Sequence, residues 1–273
     1  MRTEDCTRFL QWALPRLGLR WAGFRKVRKT VCKRISARMR NLGLPDTAAY
    51  RAFLEANPAE WPRLDAMCRI PISRFWRDRA VFDALASDVL PNLATAAAQR
   101  GQKTFRAWSA GAASGEEPYS LRLAWSLAAE PGFPGLDIEI VATEIDANLL
   151  ARAEAGLYGR GSLKDLPPEL NDGAFRPSNG LFELRDALRR DVSFLNQDIR
   201  EEMPEGPFDA ILCRNLVFTY FDAATQAALL PRLAQRLRPG GALVIGAHER
   251  LPDPAPGFAP WDGPKEIYRF SPS

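Results

Sequence analysis

Two stretches of this chain have the residue types and the spacing to bind a nucleoside. Residues 107–121 begin as an apolar run, open into a loop of small residues that contains Gly111 and Gly115, and continue into a helical segment that Pro118 can begin. A second apolar run, residues 138–146, ends in acidic residues. A strand, a glycine turn and a helix open a doubly wound α/β domain, and the turn lets a ligand approach the backbone at the carboxyl end of the first strand.

The loop lacks the patterns that cradle phosphates, because it has neither Gly-x-Gly-x-x-Gly nor a following Gly-Lys-Ser/Thr. We therefore expect Gly111, Ala112 and Ser114 to face a ligand without phosphates. Glu144, at the end of the second strand, can accept the two ribose hydroxyls of an adenosine. S-adenosylmethionine (SAM), which leaves as S-adenosylhomocysteine, is the common ligand of this kind. The alternative is a glycine turn of an α/β fold without a ligand.

The same stretches resemble the CheR-type glutamate methyltransferases of chemotaxis receptors, in the family's order, from about residue 20 onward. The resemblance implies a cytoplasmic, SAM-dependent methyltransferase that acts on glutamate side chains of a receptor-like protein. The matching runs are Ser-Ala-Gly-Ala-Ala-Ser-Gly-Glu-Glu-Pro-Tyr-Ser at 109–120, Ala-Thr-Glu-Ile-Asp at 142–146, Cys-Arg-Asn at 213–215, Tyr-Phe-Asp at 220–222 and Pro-Gly-Gly at 239–241.

The resemblance also implies roles for single residues. Residues 71–78, Pro-Ile-Ser-Arg-Phe-Trp-Arg-Asp, match a linker motif that binds SAM through Ser73 and brings Arg77 to the active site beside it. Glu117, the second acid of the Gly-Glu-Glu-Pro-Tyr-Ser run, lies near the amino-acid part of SAM in the family. An ammonium group is a sensible partner for this carboxylate.

Two further strands end in polar residues. Asp198 follows the third predicted strand, where many SAM enzymes place an acid or an amide beside the adenine amino group, and Ile199 would flank the ring. The fourth predicted strand, residues 208–215, ends in Arg214 and Asn215. We expect both to point at the ligand crevice, because ligands bind at the carboxyl ends of the strands in such sheets.

A glutamate acceptor needs a clamp rather than a general base, since a carboxyl group with a pKa of about 4.3 is already ionised at neutral pH. Arg77, Tyr220 and Arg214 supply a cationic and hydrogen-bonding clamp, and we predict them as the catalytic residues. A phenol or amine acceptor would gain from a base. The only histidine, His248, is the one conventional candidate for a base, and we interpret it as structural.

Three departures from the family's pattern keep other functions open. The step from Asn215 to Tyr220 is five residues instead of four, which displaces the tyrosine and could bring Thr219 to the site. Pro71 stands where the family often has Asn, and Gly-Ala-His-Glu at 246–249 replaces Gly-His-Ser-Glu. These departures favour a second hypothesis, a small-molecule methyl acceptor. A third hypothesis is a regulatory module that binds SAM or S-adenosylhomocysteine and acts by docking to a protein.

Three parts of the chain position these residues. We predict a basic helical domain at residues 1–72, a linker helix at 73–90, and a Rossmann-like, doubly wound α/β domain that binds SAM at 91–273. Turn signals at close intervals predict a small β-subdomain at about 159–192. The resemblance implies the same subdomain and ties it to receptor or peptide contact.

The positive charge of the chain is concentrated near its N-terminus. Residues 1–40 carry twelve Lys or Arg and two acidic residues, whereas the remainder has a net charge of −6. A predicted helix at 24–42 holds most of these cations around a buried stripe. This pattern favours docking to an acidic protein surface such as receptor helices, with a merely solvated cationic face as the alternative. Nucleic acid is disfavoured, because few exposed aromatic residues interrupt the charges.

The composition argues against several other classes of protein. No apolar run reaches the ~18 residues that a membrane span needs, so we expect no membrane insertion. The four cysteines are scattered without a Cys-x-x-Cys pair, which predicts neither a zinc site nor a disulfide framework and favours a reducing cytoplasm. One histidine argues against a histidine-built metal site. We expect no metal and a monomeric protein.

Overall fold

The structure, a computed structural model, describes residues 2–272, which divide into two units. The first unit holds residues 2–71 and 219–227, and the second holds residues 72–218 and 228–272. Met1 and Ser273, the outermost residues of the predicted domains, lie outside the described part. Residues 219–227 join the first unit through long-range contacts, which no local sequence pattern indicates.

The first unit is helical, as predicted. The basic helix begins at Arg28 rather than at residue 24, because a separate short helix and a turn precede it. The helices are α1 (Thr3–Ala13), α2 (Trp21–Phe24), α3 (Arg28–Asn41), α4 (Thr47–Ala56) and α5 (Trp61–Cys68), with 3-10 turns at Leu14–Leu17 and Pro58–Glu60.

A buried ion pair holds the basic helix α3 in the first unit. The Arg38 guanidinium donates to both carboxylate oxygens of Glu60, at 2.8 and 2.7 Å, and the Tyr50 hydroxyl donates to the same carboxylate at 3.0 Å. Arg38 thereby holds the pKa of Glu60 below its ordinary value. The apolar stripe of α3 is buried as its period predicts, at Val31, Ile35 and Met39.

A disulfide between Cys6 and Cys32 joins α1 to α3, with the two Cα atoms 6.0 Å apart. The expectation that no disulfide forms was therefore wrong. Cysteine spacing could not reveal this pair, because the two residues meet only after α1 and α3 have packed together. Cys68 and Cys213 are free and buried.

The second unit is built on a seven-stranded, mostly parallel sheet, in agreement with the predicted doubly wound α/β class. The strands of the whole unit are β1 (Thr104–Ala110), β2 (Asp137–Glu144), β3 (Leu157–Tyr158), β4 (Phe175–Ser178), β5 (Leu181–Leu184), β6 (Val192–Asn196), β7 (Phe208–Leu212), β8 (Leu237–Val244), β9 (Phe258–Pro260) and β10 (Ile267–Phe270). The remaining helices are α6 (Arg79–Ala84), α7 (Leu90–Gln99), α8 (Glu116–Ala128), α9 (Ala147–Ala155), α10 (Pro168–Ala174), α11 (Asp186–Arg189), α12 (Val217–Tyr220) and α13 (Ala223–Ala234).

The strand order in the large sheet is β6-β2-β1-β7-β8-β10-β9. All neighbours from β6 to β8 are parallel, and β10 is antiparallel to both β8 and β9. The chain order reverses between β1 and β7, which is the point where doubly wound sheets bind ligands. The ends of β1, β2, β6 and β7 therefore meet at one edge of the sheet.

A Pro-Gly-Gly run lies inside a strand. Residues 239–241 belong to β8, which begins at Leu237. Phe208 pairs with Leu237 and Ala210 pairs with Ala242, so an irregularity between them absorbs the extra residues. Such bulges accommodate Pro and Gly within a ladder.

The predicted small β-subdomain is a three-stranded antiparallel sheet in the order β3-β5-β4. Strands β4 and β5 are joined by Asn179 and Gly180, which both have positive φ angles, 48° and 78°. Asn-Gly suits such a two-residue hairpin because both residues tolerate this conformation. Among residues 2–272, no helix is long and apolar enough to cross a membrane.

Candidate active site

The glycine loop after β1 turns its amide groups toward the protein. The amides of Gly111 and Ala112 donate to the Thr143 carbonyl at 2.9 and 3.0 Å, and the amide of Ala113 donates to the Glu144 carboxylate at 3.0 Å. A phosphate-binding loop instead points such amides at its anion. The loop is therefore closed to phosphate and fits a nucleoside without one.

Gly111 lies at φ 77°, and a Cβ atom on it would come within 2.8 Å of the Leu216 side chain. Glycine is required there by its conformation, which L residues rarely adopt. Two other predicted loop residues, Ala112 and Ser114, are buried. The Ser114 carbonyl accepts a hydrogen bond from the Tyr158 hydroxyl at 2.8 Å, which ties the loop to the small β-subdomain.

Glu144 lies at the end of β2, where the sequence predicted a ribose acceptor. Its Oε1 accepts the amides of Ile145 and Asp146, at 2.9 and 3.1 Å, and its Oε2 accepts the amide of Ala113. These bonds hold the carboxylate beside the loop, while burial raises its pKa. A carboxylate offers about four acceptor sites, so these three bonds leave one for a first ribose hydroxyl, and a second hydroxyl would have to share or replace one of them.

Glu117 and Arg214 form a buried ion pair beside the loop. The Arg214 Nη1 donates to Glu117 Oε2 at 3.1 Å, and the Ser109 hydroxyl donates to Oε1 at 2.8 Å. Burial raises the pKa of Glu117, against the opposite effects of Arg214, Ser109 and Arg77. Arg77 therefore lies close enough to Glu117 to act on its charge.

Arg214 also holds the turn that carries Arg77. Its Nη2 donates to the Arg77 carbonyl at 2.6 Å and to the Asp78 carboxylate at 2.9 Å. The Arg214 side chain is only 1% exposed. The sequence predicted Arg214 as part of a clamp on the acceptor, and in the structure its terminal nitrogens contact Arg77, Asp78 and Glu117.

The turn around Arg77 is held in an uncommon conformation. Trp76 and Asp78, on either side, have φ angles of 57° and 60°, which cost non-glycine residues on the order of 1–3 kcal/mol each. The Trp76 amide donates to the Ser120 hydroxyl at 2.9 Å, and Arg77 Nη1 donates to the Ile72 carbonyl at 2.5 Å. Strain that surrounding contacts maintain is typical of a functional site.

Ser73, predicted to contact SAM, lies close enough to Glu116 that its hydroxyl acts to lower the pKa of this carboxyl. Glu116 is buried, and burial outweighs that effect, so its pKa is raised. Its Oε1 accepts the Ser162 hydroxyl at 3.4 Å, while its Oε2 has no hydrogen-bond partner among the described residues. Glu116 thus links the linker motif, the glycine loop and the small β-subdomain.

The predicted adenine site at the end of β6 differs in detail. Both carboxylate oxygens of Asp198 accept from the Arg200 guanidinium, at 2.6–3.0 Å. The preceding residue, Gln197, has a buried side-chain oxygen without a hydrogen-bond partner in the described structure. Ile199, expected to flank the ring, is buried. Sequence reasoning passed over Gln197, because its unpartnered, buried oxygen becomes apparent only in the folded structure.

Asn215, after β7, has a φ of 54° and depends on a residue that the sequence argument missed. Glu249 Oε2 accepts the Asn215 amide at 2.9 Å and the Gly246 amide at 2.5 Å. The glutamate is the last residue of the Gly-Ala-His-Glu run at 246–249. His248 itself is exposed.

Tyr220 belongs to the first unit, together with the rest of residues 219–227. It is half-buried, and its ring centroid lies 5.2 Å from that of Phe24. Tyr220 is the last residue of the short helix α12.

The geometry agrees with the known proteins that this chain matches. Residues 72–265 match the family described as CheR methyltransferase, SAM binding domain. The chain belongs to the CheR methyltransferase family. The chemotaxis protein methyltransferase of Salmonella typhimurium is 36% identical over 234 residues, which cover 82% of this chain and 76% of that protein. The enzyme of the same name from Escherichia coli is 35% identical, with coverages of 82% and 77%.

As a CheR methyltransferase, the protein is a SAM-dependent enzyme with a Rossmann-like class I methyltransferase domain. Its residues fit this cofactor. The amides of Gly111, Ala112 and Ala113 bond to protein oxygens rather than facing an anion, Glu144 presents a carboxylate at the end of β2, and Gln197 offers an unpartnered acceptor just after β6 in the described structure. Gly111, Ala112, Ser114, Glu117 and Asn215 surround the same edge of the sheet.

Proposed function

We propose that this protein transfers the methyl group of SAM to glutamate side chains of an acidic, receptor-like protein. The observation that carries the proposal is the Arg77 guanidinium, whose charge opposes the rise that burial causes in the pKa of Glu117 and which is presented by a strained, anchored turn. When bound, SAM would supply the methyl group from its sulfonium sulfur. That sulfur is the leaving group when an acceptor oxygen attacks the methyl carbon in line. A cation at this place suits an acceptor that carries a negative charge.

The site residues have the character that a carboxylate acceptor requires. Such an acceptor is ionised at neutral pH and needs alignment rather than a base, and alignment can contribute ~7–11 kcal/mol to lowering the barrier. The only histidine, His248, is exposed, and the buried carboxyls Glu116 and Glu117 have raised pKa values. We assign Arg77 as the cationic part of the clamp and Tyr220 as its hydrogen-bond donor, as the family resemblance implies.

For the cofactor, we assign the ribose hydroxyls to Glu144 and the ammonium group to Glu117. The adenine amino group is assigned to the amide oxygen of Gln197, because the Asp198 carboxylate is already bonded to Arg200. An acceptor that is buried and unpartnered gains a full hydrogen bond when its ligand arrives, which an occupied carboxylate does not.

The basic helix α3 and the turn before it are assigned to docking of the protein acceptor. Arg34 and Arg38 bond within the first unit, to main-chain carbonyls and to Glu60. The exposed cations of this face are Arg25, Lys26, Lys29, Lys33 and Arg40. A row of exposed cations attracts an acidic helix surface and speeds its association, with an effect that salt weakens.

The experiment that tests the proposal uses SAM with a labelled methyl group, the purified protein and a cell lysate. Macromolecules are separated from metabolites, and each fraction is treated with mild alkali, which hydrolyses methyl esters. We expect alkali-labile label on protein, lost with Arg77→Ala and reduced by Lys29→Glu combined with Lys33→Glu. Arg51→Glu, in another part of the first unit, is the matched control for the change of charge.

Two other outcomes would contradict the proposal. Label only among small molecules would favour a metabolite as the acceptor. SAM binding without any transfer, in lysates that contain acidic receptors, would favour a regulatory module.

A further inference from the structure

We propose that residues 18–24 are a positioning element for Tyr220, and that Gly23 is required in it because any side chain there would displace the segment that carries the tyrosine. The inference rests on the proposed function, which gives Tyr220 its hydrogen-bonding role at the acceptor carboxylate. It adds a second role to the N-terminal helical unit, which thereby holds a catalytic residue as well as a docking surface.

The backbone around Tyr220 is paired with the N-terminal segment. The amide of Arg20 donates to the Tyr220 carbonyl at 2.8 Å, and Leu19 lies opposite Phe221 in an isolated antiparallel bridge. Both apolar residues of the bridge are buried. Two stretches about 200 positions apart in the sequence are therefore joined as in a small sheet, by bonds that fix direction as well as distance.

Side chains of the same segment contact the tyrosine and its neighbour. The Arg20 Nε donates to the Thr219 carbonyl at 3.0 Å. The Phe24 ring lies 5.2 Å from the Tyr220 ring at an interplanar angle of 58°. This separation is within the range of favourable aromatic pairs, so it limits how far the phenol ring can turn.

Gly23 makes the closest approach. A Cβ atom on this residue would lie 2.2 Å from the Thr219 carbonyl oxygen and 3.2 Å from the Tyr220 Cα. Both obstacles are backbone, so no side-chain rotation can relieve the overlap. The segment that holds Tyr220 would have to move instead.

The backbone conformation does not explain this glycine. Gly23 is not among the residues with positive φ, and it lies within α2. Alanine is favoured over glycine in a helix by about 1 kcal/mol, so only the missing space excludes it. Gly23 thus allows Tyr220 to keep its position because it has no side chain.

The test compares Gly23→Ala with Gly43→Ala in the full-length chain. Gly43 lies in the same unit at φ 69°, and a Cβ atom there would meet nothing within 4 Å, so its substitution strains the unit without reaching Tyr220. The direct probe is hydrogen exchange at the Asp222 amide, which donates to the Gly18 carbonyl at 2.8 Å. We expect Gly23→Ala to speed this exchange about tenfold and Gly43→Ala to leave it unchanged.

Kinetics supply the second readout. Gly23→Ala should lower kcat about 10- to 100-fold, as expected for a misplaced catalytic group, with the Kd for S-adenosylhomocysteine within about twofold of wild type. In a Tyr220→Phe background the same substitution should have no further effect on kcat, because the hydroxyl that it misplaces is already gone.

Unchanged hydrogen exchange at the Asp222 amide in Gly23→Ala would overturn the inference. So would a double variant, Gly23→Ala with Tyr220→Phe, whose loss of kcat is the product of the two single losses. Wild-type kcat in Tyr220→Phe alone would instead contradict the role that the proposed function gives to Tyr220. In that case the exchange data still decide whether Gly23 holds this segment in place.

Discussion

The guanidinium of Arg214 donates to the main-chain carbonyl of Arg77 at 2.6 Å while its other terminal nitrogen binds Glu117 at 3.1 Å. One buried side chain therefore connects the residue proposed to hold the acceptor with the residue proposed to hold the ammonium group of SAM. Arginine suits this place because its planar fork binds several acceptors at fixed angles, which a lysine ammonium cannot do.

We predict that Arg214→Met lowers the free energy of unfolding of the second unit by about 3–5 kcal/mol, since it leaves the Glu117 and Asp78 carboxylates without their buried partner. Arg214→Lys should lower the free energy of unfolding less, as measured with urea, because lysine keeps the positive charge. It should still lower kcat, because lysine does not keep the bond to the Arg77 carbonyl. Wild-type kcat in Arg214→Lys would mean that the turn does not depend on this bond.

The assignment of Gln197 predicts selectivity for the adenine amino group. Gln197→Leu should weaken binding of S-adenosylhomocysteine about 3- to 10-fold, the equivalent of one hydrogen bond, as measured by calorimetry. The variant should also bind the inosine analogue, which lacks the amino group, as well as it binds the adenine compound. If Asp198→Asn removes the selectivity and Gln197→Leu does not, the acceptor is Asp198.

The parts of the site that lie on local patterns could be predicted from the sequence. Apolar runs, a glycine turn and terminal acids placed Gly111 and Glu144 at strand ends, and the strand order brings those ends together. The pairing of Arg214 with Arg77 and the support of Asn215 by Glu249 could not be predicted, because each depends on side chains that meet across the fold. The inclusion of residues 219–227 in the first unit could not be predicted either, because it depends on contacts between residues far apart in the sequence.

The ion pair of Glu60 and Arg38 predicts acid sensitivity of the first unit. The pKa of Glu60 is lowered below its ordinary 4.5, so the stability that it contributes is complete above that pH and is lost as the pH falls through the folded value. Because the Arg38 side chain is 23% exposed and glutamine still accepts a hydrogen bond, Glu60→Gln should lower the free energy of unfolding by about 1–3 kcal/mol at neutral pH. It should also make that free energy less dependent on pH below 4.5, as followed by urea unfolding.

The control is Glu55→Gln, which removes the surface pair with Arg51, both of whose side chains are about half exposed. Pairs of this kind contribute at most about 1 kcal/mol. Equal losses in the two variants would show that burial does not strengthen the Glu60 pair.

The Cys6–Cys32 disulfide predicts that a reductant destabilises the first unit. Closing a loop of this length, with a sequence separation of 26, stabilises a fold by roughly 3–4 kcal/mol. Denatured, unreduced protein should show two reactive thiols, those of Cys68 and Cys213. The Cys6→Ser variant should unfold at the same urea concentration with and without reductant. Four reactive thiols before reduction would contradict the pairing.

The most direct test of the proposed reaction is the chemistry of the methylated product on a defined acceptor. A purified acidic helical fragment of a receptor is incubated with the protein and SAM carrying a labelled methyl group, and alkali-released methanol is measured. We predict label that alkali releases as methanol, that disappears when the acceptor glutamates are replaced by glutamine, and that falls at least about 100-fold with Arg77→Ala. Alkali-stable label on the fragment, or transfer that persists on glutamine, would contradict carboxyl methylation.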